Sequence, residues 1–254
     1  MRATRFAGLT IVLALTFAAG AAQAQVAALP QAHGIVLVRG ASEGPAWAAV
    51  ISLLEAAGLR VTVVETPLTS LEESAAETRR VLALQDGPTV LVGHAWGGTV
   101  VSQVGVDPKI SALVYLEAAA PEAGEAFATL SAKFPTEQPI QASLAGTKTN
   151  TTAWREKPSF YALSQPGGPI TPDLQRFFAS RMKAKTIALD AGTLPASHPR
   201  EIAGLILEAA GMKPPACGAE NDDGMAACAA PALPRSLAEG CKCTKTPLED
   251  LTAP

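Results

Sequence analysis

The stretch Thr89-Val90-Leu91-Val92-Gly93-His94-Ala95-Trp96-Gly97-Gly98 decides the fold. Its first residues form an apolar, β-branched run that predicts a buried strand, and a helical pattern containing Val100 and Val101 follows. The glycines permit a sharp turn that passes directly from strand to helix and lifts one side chain above the carboxyl edge of a sheet. The lifted residue is Ala95, whose methyl group can neither attack a carbonyl carbon nor accept a proton.

Short β-branched runs alternate with helical patterns along the chain, which is typical of βαβ units. We therefore predict an α/β fold, with a mostly parallel sheet of about six strands and helices on both faces. The predicted strands are Gly34–Val38, Arg60–Val64, Thr89–Gly93, Ser111–Leu116, Ser159–Leu163 and Thr186–Leu189.

Three helices between these strands carry clear terminal signals. Ser70 and Glu73 have the spacing of a capping box, and Thr171 followed by Pro172 begins another helix. The last helix begins near Pro199 and ends at Gly211.

The N-terminus has the pattern of a secretory signal. Arg2 and Arg5 precede an apolar run over residues 9–19, and Ala22-Gln23-Ala24 is a small-x-small cleavage site. The alternative, a membrane span, needs about 20 apolar residues, more than this run provides. We expect residues 1–24 to be removed, leaving a periplasmic or secreted protein with no membrane anchor.

Composition excludes some classes of function. The 254 residues include 20 Lys+Arg and 23 Asp+Glu, so a nucleic-acid partner that needs a basic face is not expected. We find no glycine-rich dinucleotide or phosphate motif and no His pair at metal spacing, and we expect neither cofactor nor metal.

The composition changes after residue 211. Residues 25–211 form the predicted domain, and residues 212–254 form a Pro/Ala-rich tail. All four cysteines lie in this tail: Cys217, Cys228, Cys241 and Cys243. In an exported protein an even count favours two disulfides, for which three pairings exist. A metal site through Cys241 and Cys243 is one alternative, although zinc sites usually have C-x₂₋₄-C pairs. Free or intermolecular thiols are the other.

From Ile35 to Ala210 the chain resembles the small esterases of the α/β-hydrolase fold, the pyrethroid-hydrolase and methyl-esterase-like group. Several motifs besides the strand–turn–helix carry this resemblance: Val36-Leu37-Val38 with Gly40 and Trp47, Leu113-Val114-Tyr115, Ala120-Pro121, Lys157-Pro158-Ser159, Pro172-Asp173-Leu174 and Ser197-His198-Pro199. The resemblance implies an α/β-hydrolase fold with a shortened lid over about residues 121–157.

The chain departs from this family at the residues that do chemistry. The family's nucleophilic Ser is replaced by Ala95, and its catalytic acid and His align with Gly167 and Thr193. Its His-Gly beside the oxyanion hole is Arg39-Gly40 here. Acyl transfer needs a nucleophile, a base and a group that orients the base. None of these is present at the family positions, so we can assign no catalytic residue.

The expected function is therefore that of an exported pseudoenzyme, which binds a small apolar carbonyl ligand or another protein. The vestigial site is predicted to comprise Arg39, Gly40, His94, Ala95, Trp96 and Glu117. Within it, Arg39 is predicted to pair with Glu117, two strands away. Two alternatives remain: an exported esterase-type hydrolase with unorthodox residues, and an interaction protein that works through its tail.

Overall fold

A computed structural model describes residues 29–40, 43–66, 70–134, 146–164, 170–190 and 194–213. The predicted signal segment and the four tail cysteines lie outside these residues. In the described part, no helix is both long and apolar enough to cross a membrane.

The described strands form one parallel sheet of six in the order β2-β1-β3-β4-β5-β6. Their bounds are β1 Gly34–Gly40, β2 Arg60–Thr66, β3 Thr89–His94, β4 Ile110–Leu116, β5 Ser159–Leu163 and β6 Lys185–Ala188. Every predicted strand is present, and the predicted fold class is confirmed. Because all strands run the same way, their carboxyl ends meet at one edge.

Helices cover both faces of the sheet. They are α1 Gly44–Ala56, α2 Leu71–Ala83, α3 Gly97–Val104, α4 Phe127–Lys133, α5 Pro172–Met182 and α6 Pro199–Ala209, with a short 3₁₀ turn at Ala153–Arg155. The Ser70 hydroxyl accepts from the Glu73 amide, and the Thr171 hydroxyl caps α5. Both N-terminal signals in the sequence therefore mark real helix starts.

Two apolar cores lie on opposite faces because side chains alternate along each strand. On β1, Val36 and Val38 pack with α2, α3 and α5, whereas Ile35 and Leu37 pack with α1 and α6. The four residues are 2% exposed or less. This burial on both faces explains why the central strands read as continuous apolar runs.

Two glycines allow α3 to lie directly against the sheet. A Cβ at Gly97 would lie 2.4 Å from the Val38 carbonyl oxygen, and one at Gly98 would lie 2.3 Å from the Ala119 carbonyl oxygen. Both distances are much shorter than a van der Waals contact, and the atoms contacted belong to the rigid backbone.

We therefore expect Gly98→Ala to destabilise the protein by about 2–3 kcal/mol, because a core that is already full must shift. Gly204→Ala is the matched control, since Gly204 lies in α6 with open space around it. That change should stabilise the protein by about 0.5–1 kcal/mol through helix propensity. Urea unfolding of both variants measures the difference; equal effects would contradict the close packing of α3.

Candidate functional site

The centre of the carboxyl edge is a strained turn between β3 and α3. Ala95 follows β3 with φ of 49°, in the left-handed region that non-glycine residues rarely adopt. Its amide donates to the Leu116 carbonyl at 3.1 Å, and its carbonyl accepts from the Ala119 amide at 3.0 Å. The turn thus has the lifted geometry of a nucleophile elbow, with a methyl group in the nucleophile's place.

Ala95→Gly should stabilise the protein by about 0.5–1 kcal/mol. The left-handed conformation costs a non-glycine residue roughly 1–2 kcal/mol, and glycine's greater freedom in the unfolded chain cancels part of the gain. Ala76→Gly, at an exposed position within α2, is the control and should destabilise by about 1 kcal/mol. Thermal or urea unfolding measures both changes. An equal loss of stability in the two variants would contradict backbone strain at Ala95.

A buried ion-pair chain lies directly beside Ala95. His94 Nδ1 lies 2.7 Å from Glu43 Oε2, and His94 Nε2 lies 3.5 Å from Glu117 Oε2. The Trp47 ring packs edge-on to the imidazole, with ring centroids 5.7 Å apart. We call Glu43, His94 and Glu117 the elbow clamp, because it joins the start of α1 to the ends of β3 and β4.

The elbow clamp keeps His94 positively charged. Burial alone would lower the pKa of His94, but its contacts with Glu117 and Glu43 outweigh burial and raise the pKa to about 9. The imidazole is therefore protonated at neutral pH, and both of its nitrogens face carboxylates. In this state His94 cannot accept a proton from a nucleophile.

Backbone contacts hold Glu117 in this position. Its φ is 46°, and its amide donates to the Ala162 carbonyl on β5 at 3.1 Å. The next carbonyl, that of Ala118, accepts from the buried Tyr161 hydroxyl at 2.6 Å. Two neighbouring strand ends, at Ala95 and Glu117, therefore both carry a left-handed residue.

The prediction that Arg39 pairs with Glu117 is wrong. Arg39 Nη2 lies 2.6 Å from Glu65 Oε1, and its Nη1 donates to the Gly40 carbonyl at 2.8 Å. Arg39 and Glu65 are register partners on adjacent strands, whereas Glu117 ends a strand two positions away. Arg39 pairs with Glu65 because adjacent strands are only about 4.8 Å apart, whereas Glu117 is two strands away and contacts His94.

The structure brings most of the predicted vestigial site together at one edge. Gly40 ends β1, and Trp96 follows Ala95 with 8% of its surface exposed. Gly167 and Thr193, which the resemblance aligns with the family's acid and base, lie outside the described residues. Sequence reasoning missed Glu43 and Glu65. Glu65 follows the Val-rich part of β2, and Arg39 follows the Val-rich part of β1. The sequence alone does not show that the two residues are neighbours, because this depends on the register of the two strands.

The other two histidines do not join this site in the described structure. His33 is exposed at the start of β1. His198 occupies the N-cap position of α6, and its side chain makes no capping hydrogen bond there. The structure therefore gives no support to either as a displaced catalytic base.

Arg181 on α5 anchors the segment that follows Glu117. It donates to both oxygens of Glu125 at 3.1 and 2.9 Å and to the Ala120 carbonyl at 2.6 Å. Its guanidinium also lies over the rings of Trp154, Phe177 and Phe178. Glu125 thus has a structural role in fixing the loop between β4 and α4.

One groove of the described surface lies away from the elbow. It has a volume of about 590 Å³ and is lined by Ser70, Leu71, Glu72, Ala75, Arg79, Gln103, Thr147, Lys148 and Asn150. No group of three or more His, Cys, Asp or Glu residues with metal-binding geometry occurs among the described residues.

Comparison with known proteins identifies the family. A model described as "Alpha/beta hydrolase family" matches residues 32–242. The chain therefore belongs to the α/β-hydrolase family. No curated protein matches it.

Solved structures with the same fold are esterase-like hydrolases of low sequence identity. A pyrethroid hydrolase from Sphingobium faniae JZ-2 is 20% identical, with a TM-score of 0.54, covering 71% of this chain and 98% of that one. Polyneuridine aldehyde esterase is 18% identical, with a TM-score of 0.57, covering 70% and 99%. An extracellular α/β-hydrolase from a Paenibacillus species is 18% identical, with a TM-score of 0.53, covering 69% and 98%. At these identities the likeness establishes the fold alone.

Proposed function

We propose that the chain is an exported α/β-hydrolase-fold protein that has lost the Ser-Asp-His triad and acts as a binding or interaction protein without catalysis. The observation that carries this proposal is Ala95 at the apex of the elbow. In this fold the apex side chain is the nucleophile, and a methyl group cannot form an acyl-enzyme.

The neighbouring groups support the same conclusion. The histidine nearest the apex, His94, is held as an imidazolium by the elbow clamp, so it is not available as a base. Gly167 and Thr193, which the family resemblance aligns with the acid and the base, have no group that titrates near neutral pH. A displaced triad would need residues from elsewhere in the chain.

The ligand would bind at the carboxyl edge, where the fold keeps its cleft. We propose a small apolar carbonyl compound or another protein as the occupant. Export rests on the charged start, short apolar run and Ala22-Gln23-Ala24 at the N-terminus. The similar Paenibacillus protein is described as extracellular, which agrees with this location.

An exported esterase-type hydrolase is the second candidate. The observation that favours it is the elbow itself, since the left-handed φ at Ala95 and the close packing of Gly97 and Gly98 are retained. Strain of this kind persists mostly at functional sites. The same backbone would, however, also serve a cleft that only binds.

Binding and turnover can be measured together by equilibrium dialysis of the mature protein against a short aliphatic ester. We expect the ester to be retained by the protein and recovered intact. Ala95→Leu should reduce retention by filling the space above the apex, whereas Ala76→Leu on the exposed face of α2 should not. Recovery of acid and alcohol would favour the hydrolase, and equal retention by both variants would place the ligand elsewhere.

Fractionation of cells that express the full chain tests export separately. The protein should be found in the periplasm or medium and should begin at Gln25. An uncut protein in the cytoplasm would contradict this part of the proposal.

A further inference from the structure

The groove away from the elbow lies between α2, the end of α3 and the extended segment of residues 147–150. Its volume of about 590 Å³ falls within the range of small-molecule sites, about 300–1,000 Å³. Leu71, Ala75 and Arg79 of α2 are four residues apart and therefore follow one stripe of the helix. Leu71 and Ala75 are buried and give the groove an apolar floor, and the stripe is about 12 Å long at 1.5 Å per residue.

The wall opposite α2 is fixed by hydrogen bonds on both of its sides. Towards the loop after β4, the Gly124 amide donates to the Thr149 carbonyl at 2.8 Å. Towards α3, the Asn150 amide donates to Gln103 Oε1 at 2.7 Å, and the Thr151 hydroxyl donates to the Gln103 carbonyl at 2.8 Å. The wall is therefore held in place without a ligand, and a ligand that enters loses little affinity to ordering it.

Two exposed cations line the groove without a partner. Arg79 on α2 and Lys148 on the opposite wall make no side-chain hydrogen bond or ion pair within the described part of the chain. This distinguishes Arg79 from six other arginines, each of which pairs with a carboxylate: Arg39, Arg60, Arg80, Arg155, Arg176 and Arg181. The guanidinium of Arg79 is therefore available to a ligand.

The groove carries one opposing charge, that of Glu72. It lies seven residues before Arg79 on α2, which is about 10 Å along the helix axis. The lining residues thus carry two positive charges and one negative charge, and the negative end is remote from Arg79. A guanidinium donates two parallel hydrogen bonds to a carboxylate or a phosphate, so an anionic group is the natural partner at the Arg79 end.

We propose that this groove is a binding site for a small organic anion. Its carboxylate or phosphate head group contacts Arg79 and Lys148, and its short aliphatic body lies along Leu71 and Ala75. The groove shares no residue with the elbow clamp or with Ala95. The site is therefore separate from the cleft at the elbow, and it does not depend on whether that cleft binds or hydrolyses a ligand.

Titration of the mature protein with sodium butyrate, followed by NMR of the amides of residues 147–150 at constant ionic strength, tests the site. Butyrate should cause saturable shifts of these amides. Butyramide, which has nearly the same shape and no charge, should cause none. Inorganic phosphate is the third probe, and saturable shifts with phosphate rather than butyrate would identify phosphate as the head group that the site accepts.

Three variants at exposed positions of α2 test the assignment of residues. Arg79→Gln should weaken butyrate or phosphate binding about fivefold, the upper end of what an exposed ion pair contributes, and Glu72→Gln should strengthen it about twofold. The matched control is Arg80→Gln, which removes a cation already paired with Glu77 and should change the affinity by less than about twofold. Equal effects of Arg79→Gln and Arg80→Gln, equal shifts with butyramide and butyrate, or no saturable shift with either anion would overturn the proposal.

Discussion

The Ala95→Ser variant will hydrolyse a short activated ester no faster than the native protein. A serine at the apex needs a base to take its proton, and His94 is protonated and held between Glu43 and Glu117. Removing the triad from a serine hydrolase costs about six orders of magnitude in turnover, and the nucleophile alone restores little of it because the three residues act as a unit.

The informative comparison is a triple variant, Ala95→Ser with Gly167→Asp and Thr193→His, measured beside Ala95→Ser alone. Activity in the triple variant only would show that catalysis is limited by the lack of a base and an acid at the aligned positions. Turnover by Ala95→Ser alone, above the native rate, would mean that some existing residue already acts as the base, and the account of His94 would fail.

The native protein will lose about 3 kcal/mol of stability as the pH rises from about 6.5 to above 9. The elbow clamp raises the pKa of His94 from 6.5 in the unfolded chain to about 9 in the folded one. The folded state therefore binds the proton more tightly, so this stabilisation is complete below pH 6.5 and is lost as the pH passes through about 9. Urea unfolding across this range measures the change.

His94→Gln should remove this part of the pH dependence. It should also destabilise the protein at neutral pH by about 3–5 kcal/mol, because two partly buried carboxylates lose their shared cation. His33→Gln, at an exposed histidine, is the control and should change stability by less than about 0.5 kcal/mol. The His94→Gln profile of stability against pH can be subtracted from the native one. A difference that stays flat between pH 6.5 and 9 would contradict the elbow clamp.

The strands and helix starts were predictable because they depend on local pattern. Apolar runs such as Val90-Leu91-Val92 identify buried parallel strands, and Ser70 and Thr171 identify helix caps. The elbow was equally predictable, since only glycines allow α3 to approach the sheet so closely. In each case the physical requirement lies within a few consecutive residues.

The charged contacts were not predictable in the same way. Topology alone placed Arg39 and Glu117 at one edge, but the partner of Arg39 depends on register, and Glu65 stands directly beside it. Nothing in the sequence distinguishes Glu43, because it lies at the start of a helix, where an acidic residue is common. Its contact with His94 joins residues 51 positions apart, and no local pattern encodes that separation.

The most direct test of the central claim is the rate at which purified mature native protein hydrolyses a short activated ester, measured against a heat-killed sample at equal concentration. We predict a rate equal to that of the heat-killed control, because the apex of the elbow carries only the methyl group of Ala95. Sustained turnover above that control, proportional to protein concentration, would contradict the proposal that this member of the α/β-hydrolase family acts without catalysis.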